Sequence, residues 1–148
     1  MTPATRMDAS MRVAILVPCY NEAVAIAAVV RDFRAALPDA EVYVFDNNSS
    51  DGTADIARAH GARIRHVSLQ GKGHVVRRQF ADIDADVYVM VDGDDTYHAA
   101  SAPALVRCLL DGPHDMVVGV RQAQASAAYR SGHAWGNKML TGFLSWLF

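Results

Sequence analysis

Tyr88-Val-Met-Val-Asp-Gly-Asp-Asp-Thr-Tyr97 runs an apolar segment straight into three carboxylates. Val87, Val89 and Val91, with Tyr88 and Met90 between them, predict a strand over 86–92 that is buried on both faces. Gly93 is expected to let the backbone turn sharply, which leaves Asp92, Asp94 and Asp95 crowded at the carboxyl end of that strand. Crowded carboxylates repel one another, so a pKa rises or a cation offsets the charge. A hard-oxygen cluster of this kind suits Mg²⁺ or Mn²⁺ better than zinc. Open α/β sheets bind ligands at the carboxyl ends of their strands. The competing reading is a solvated acidic turn, for which Asp and Gly are ordinary residues.

Upstream, Gln70-Gly-Lys-Gly73 leads into a predicted helix over 74–83 that carries Arg77 and Arg78. Two glycines flanking Lys72 at a helix start suit a phosphate contact, because free N–H groups and the positive end of the helix dipole meet there. The spacing and hydroxyl residue of a P-loop are absent. A basic, solvated helix face is the alternative for Lys72 and the preferred reading of Arg77 and Arg78. The polar segment Arg63–Ser68 reads as an edge strand.

Glu41-Val-Tyr-Val-Phe-Asp46 is a further strand ending on a carboxylate, and Asn47-Asn-Ser-Ser-Asp-Gly-Thr53 is rich in turn and cap residues. Ser50 or Asp51 is expected to cap a helix over 54–60. Asp46 sits at a strand end where its oxygens could hydrogen-bond a base or a ribose. The first strand, over 12–18, is expected to end at Pro18, which lacks a ladder donor. Ile26, Val29, Val30, Phe33 and Leu37 then recur at helical spacing until Pro38. No Gly-x-Gly-x-x-Gly follows that strand, so a dinucleotide-binding oxidoreductase loses its main support. Downstream come a helix over 101–110, a strand over 115–121 ending on Arg121, a loop containing Arg130, and a closing helix faced by Trp135, Met139, Leu140, Phe143, Leu144 and Leu147. Such a stripe packs in a core or against a missing element or membrane surface.

Strands alternating with helices predict an α/β, Rossmann-like, mostly parallel sheet with helices on both faces, its acidic strand ends gathered on one edge. A chain of 148 residues, 51% apolar, holds one domain with a real core. Residues 1–11 read as a frayed or disordered start without a signal peptide, and 12–148 as the domain. A net charge of −2 gives no broad attraction to nucleic acid or an anionic membrane. Cys19 and Cys108 form no disulfide framework, which fits a reducing compartment, and the six histidines lack zinc-like spacing.

Four segments together resemble the family 2 glycosyltransferases of the GT-A fold: Val17-Pro-Cys-Tyr-Asn-Glu22, Asp46-Asn-Asn-Ser-Ser-Asp-Gly-Thr53, Gly71-Lys-Gly73 and Asp92-Gly-Asp94. Four in register over about 80 residues make a specific signal where each alone is weak. Val118-Gly-Val-Arg121 and the stretch from Arg130 to Asn137 look more loosely like the subgroup of dolichol-phosphate mannose synthases and bacterial polyprenyl-phosphate glycosyltransferases.

The resemblance implies that Pro18, Tyr20 and Glu22 line a nucleotide pocket with Lys72 and Gly93, and that Asp46 contacts the base. Asp92 and Asp94 resemble the family's D-x-D pair, with Asp94 on a Mg²⁺ or Mn²⁺ ion bridging the donor diphosphate and Asp92 near the ribose or the ion. Arg121 and Arg130 would face an acceptor phosphate, and Asp92, Asp94 and Arg121 would carry catalysis. Asp95, where the commoner pattern is Asp-Ala-Asp, receives no role.

The implied reaction moves a sugar, with inversion, from a UDP- or GDP-linked donor to a polyprenyl (undecaprenyl or dolichyl) phosphate. It would take place in the cytoplasm or peripherally on the cytoplasmic face of the membrane, with no nucleic acid involved. A lipid phosphate is already a dianion near neutral pH, its second pKa being about 6, and needs no general base. A sugar hydroxyl would need one. Relatives continue beyond these segments, so the acceptor half is expected to be missing. The alternative function is a truncated, non-catalytic module that binds nucleotide or a partner. A sugar-nucleotide pyrophosphorylase would need a Gly-rich basic loop after the first strand, which Pro18–Glu22 is not.

Overall fold

The structure is a computed structural model and describes residues 11–120. Four strands, β1 (Val13–Cys19), β2 (Glu41–Asp46), β3 (Arg63–His66) and β4 (Val87–Met90), form one sheet in the order β3-β2-β1-β4. All three pairings are parallel, and β1 is paired on both sides, to β2 over Ala14–Cys19 and to β4 over Val13–Leu16. The continuous apolar run of β1 follows from that central place, where neither face meets water.

Alternate residues of β1 serve two cores. Val13, Ile15, Val17 and Cys19 pack with α1 (Ile26–Ala36), α2 (Thr53–Ala59) and α4 (Ala102–Asp111), whereas Ala14 and Leu16 pack with Phe45 and with Val75 of α3 (Lys72–Asp82). Helices therefore cover both faces, as expected. In α1 the buried residues are Ile26, Val29, Val30 and Phe33, the spacing that makes one apolar stripe. Glu22 O accepts from the Ala25 and Ile26 amides to start it, and Leu37 leaves helical geometry before Pro38. No helix among the described residues is long and apolar enough to cross a membrane.

Several expectations are corrected. Strand β1 passes through Pro18 to Cys19. Leu16 O accepts from Val91 N, so Pro18, two residues on, turns its missing N–H to the side where β4 has already ended. Strand β4 covers 87–90 rather than 86–92, and it is not buried on both faces, since Met90 is 45% exposed. Among the described strands it lies at an edge, and an apolar run alone does not tell edge from centre. Helix α3 starts at Lys72, earlier than position 74. Helix α2 starts at Thr53 with Gly52, not Ser50 or Asp51, in the N-cap position, while Asp51 Oδ1 accepts from the first helical amide, Thr53 N, at 3.0 Å. The strand over 115–121 is not formed in its described part: residues 116–120 pair with nothing, and Met116, Val118 and Val120 are exposed. An apolar run becomes a strand only when it is paired, and residues 116–120 are not paired with any of the four described strands. Arg121, Arg130 and the expected closing helix lie outside the described residues.

Candidate functional site

Strands β2 and β3 are added on one side of β1 and β4 on the other, so the order reverses at the carboxyl ends of β1 and β4. That switch point is where a doubly wound sheet leaves a crevice. A cleft of about 450 Å³ opens there. Pro18 lines it from the end of β1, Tyr20 and Glu22 from the loop after β1, Lys72 from the start of α3, and Asp92, Gly93 and Asp94 from the loop after β4. These seven predicted residues are thereby brought together.

The loop after β1 is held by the loop after β2. Asn21 N donates to Ser49 Oγ at 2.9 Å, Glu22 N to Thr53 Oγ1 at 2.9 Å and Ala23 N to Asp51 Oδ2 at 3.0 Å. Asn21 and Asn48 take φ of 56° and 66°, a region that Asn tolerates better than most residues. The hydroxyl and carboxylate groups of 49–53 thus serve backbone amides of the neighbouring loop, and Asp51 serves the first amide of α2 as well. The thiol and main chain of Cys19 lie at the same junction, with Asn47 N donating to Cys19 O at 2.9 Å.

Asn47 was not singled out in the sequence, yet it is the joint between loops. It is 4% exposed, its Nδ2 donates to Val67 O at 2.7 Å and Leu69 O at 2.8 Å, and its Oδ1 accepts from Gly71 N at 2.8 Å. Two carbonyls on one side fix which end of the amide is which. Gly71, with φ 128°, then turns the chain into α3. Lys72 follows, and its Nζ meets Asp92 Oδ1 at 2.6 Å across the cleft.

Asp94 is held by its own loop, Oδ1 accepting from Thr96 N at 3.1 Å and Thr96 Oγ1 at 2.7 Å. Gly93 is needed for a different reason from the one expected. Its φ is not positive; the turn residue in the left-handed region is Asp95, at 58°. A Cβ on Gly93 would lie 2.6 Å from Cys19 Sγ, so the absence of a side chain lets the acidic loop close onto β1. Gly93→Ala is expected to cost about 1–3 kcal/mol by overpacking. The double variant Gly93→Ala, Cys19→Ala should recover most of the loss in a urea titration; no recovery would show that the contact is not the cause.

Three carboxylates do share the cleft, but they are Glu22, Asp92 and Asp94 rather than Asp92, Asp94 and Asp95. Desolvation, then Asp94, Asp51 and Asp92, raises the Glu22 carboxyl above its ordinary range. Burial, with Glu22, Asp46 and Asp92 adding to it, pushes the Cys19 thiol far up and keeps it protonated. Asp46 is not among the residues that line the cleft: it is 3% exposed, Oδ2 lies 3.3 Å from His66 Nδ1, and Oδ1 is buried with no hydrogen-bond partner among the described residues. A contact between Asp46 and a base requires that oxygen to be uncovered.

The donor set suits a hard divalent cation. No group of three or more His, Cys, Asp or Glu residues placed to hold a metal occurs among the described residues. Mg²⁺ and its like are held in such sites by one or two carboxylates, the rest of the shell coming from water and substrate phosphates. Asp92 and Asp94 meet that requirement in a field already negative enough to shift Glu22.

The parallel sheet with helices on both faces and its crevice at the switch point has the GT-A fold. Residues 14–146 match the family described as glycosyl transferase family 2. Protein RfbJ of Shigella flexneri is 54% identical over 125 residues, 84% of this chain and 97% of that one. Glycosyltransferase AglJ of Haloferax volcanii is 43% identical over 112 residues, 75% of this chain and 36% of that one. The dolichyl-phosphate hexose transferase of the same organism is 38% identical over 109 residues, 73% and 47%. The crystal structure of glucosyl-3-phosphoglycerate synthase from Mycobacterium tuberculosis, in complex with Mn²⁺, UDP and glucosyl-3-phosphoglycerate, superimposes with a TM-score of 0.64 at 29% identity, over 71% of this chain and 42% of that one. The chain belongs to glycosyl transferase family 2. It spans nearly all of RfbJ and less than half of the other three.

Proposed function

We propose that the chain binds a UDP- or GDP-linked sugar with Mg²⁺ or Mn²⁺ and transfers the sugar, with inversion, to a polyprenyl phosphate at the cytoplasmic face of a membrane. The observation that carries the donor half is the convergence of Asp92, Asp94, Lys72 and the α3 N-terminus on one cleft. The similarity to the dolichyl-phosphate hexose transferase, and the Mn²⁺ and UDP in the synthase complex, support the acceptor class and the cofactor.

Cleavage of the sugar–phosphate bond leaves a nucleoside diphosphate with growing negative charge. A divalent ion held by Asp94 and Asp92 would supply Lewis-acid stabilisation of that charge. The chain would add Lys72 and the amide end of α3 where that charge develops. Pro18, Tyr20, Glu22 and Gly93 line the same cleft. Asp46 would accept from an N–H of the base once uncovered. Arg121 and Arg130 would hold the acceptor phosphate, whose oxygen attacks without a general base.

Calorimetric titration with UDP and with GDP, each with and without Mn²⁺, tests this reading. Manganese-dependent binding of one nucleotide is expected and would name the base. Binding of neither would overturn the donor assignment, whereas binding without transfer to polyprenyl phosphate would favour a non-catalytic nucleotide module. Arg121→Ala is expected to leave donor affinity unchanged while weakening the lipid-phosphate acceptor about tenfold, by loss of a charge-assisted contact. Equal loss of both would put Arg121 in the donor site.

A further inference from the structure

Lys72 is the one cation among the described residues that line the cleft, which it shares with Glu22, Asp92 and Asp94. Its place is fixed on the chain side by Gly71, whose amide is bound by the buried Asn47 side chain at 2.8 Å. Across the cleft its Nζ reaches Asp92 Oδ1 at 2.6 Å. The two side chains are 63% and 35% exposed, which makes the pair weak enough to exchange partners. Asp92 is also one of the two carboxylates that suit a divalent cation, so ammonium and metal ion want the same oxygens.

We propose that Lys72 is a resident counter-ion that occupies Asp92 in the free protein and passes to the diphosphate when nucleotide and divalent cation bind together. The inference rests on the nucleotide-sugar reading above. In the free protein the ammonium opposes the metal ion, both by holding Asp92 and by direct repulsion. A diphosphate draws the ammonium away and leaves Asp92 to the ion. Nucleotide and ion therefore favour each other beyond their own contact, and by linkage the effect is the same in either order of addition.

Mn²⁺ alone, followed by UDP and GDP at fixed Mn²⁺, is titrated into the parent, Lys72→Met and Lys72→Arg, with calorimetry and the electron paramagnetic resonance of free Mn²⁺ as readouts. Lys72→Met should bind Mn²⁺ alone about five- to tenfold more tightly than the parent, since an ion pair is removed together with a nearby positive charge. The same variant should bind nucleotide with Mn²⁺ about tenfold more weakly, having lost a charge-assisted phosphate contact. Lys72→Arg should resemble the parent in both. Equal or weaker binding of Mn²⁺ alone by Lys72→Met, or none by either protein, overturns the proposal. Tighter Mn²⁺ binding by Lys72→Met in a protein that takes up neither UDP nor GDP would uphold the competition for Asp92 and overturn the nucleotide-sugar reading instead.

Discussion

Asp94→Ala is expected to lower manganese-dependent nucleotide affinity by at least about a hundredfold, on the order of 3 kcal/mol, while the protein melts with the parent. The side chain is exposed and ends on Thr96 of its own loop, not in either core, so its removal leaves no buried gap. It contributes one of the two carboxylates that suit the ion, and the remaining one, Asp92, is shared with Lys72. Binding without Mn²⁺ should change little. The substitution also removes the second cause of the raised Glu22 carboxyl, after desolvation, so the Glu22 titration observed by NMR should move back toward its ordinary range. Undiminished affinity in the presence of Mn²⁺ would place the metal elsewhere.

Asn47→Ala should destabilise the domain by about 3 kcal/mol, because three hydrogen bonds are lost at a buried position and the Val67 and Leu69 carbonyls are left without their donor. That is a large part of the 5–15 kcal/mol by which a domain is typically stable. Asn47→Asp separates position from mere packing. A carboxylate can still accept from Gly71 N, but it faces two carbonyl oxygens, which favour the protonated acid. A carboxyl raised in the folded state is stabilising below its folded pKa and loses that contribution as pH rises through it. The variant should therefore approach the parent at low pH and fall behind it near neutrality, read by urea titrations across pH. A pH-independent loss would mean that the two carbonyls do not face the side chain in solution.

The sheet and its edge of acidic strand ends were legible because apolar runs of four to seven residues, punctuated by Pro, Gly and Asp, carry both period and length. The core spacing of α1 at Ile26, Val29, Val30 and Phe33 is written in the chain in the same way. Less legible was what each polar residue of a loop is for. Ser49, Asp51 and Thr53 look like cap residues in any sequence, and only the fold shows that they bind amides of the loop after β1. Asn47 stood beside the more conspicuous Asp46, and a run of Asn and Ser gives no sign of which amide is buried.

The amino-acid sequence by itself determined the α/β alternation, the order of the motifs and the acidic pair after β4, since these depend on local pattern and short spacing. Tertiary structure decided that β4 is an edge among the described strands, that Glu22 rather than Asp95 completes the acidic cleft, and that of the two buried neighbours Asn47 borders the cleft and Asp46 does not. The physical reason is common to all three. Each depends on which distant segment lies alongside, as Cys19 does against Gly93 and Asn47 against Gly71, and such neighbours are chosen by packing of the whole sheet rather than by residues adjacent in the chain.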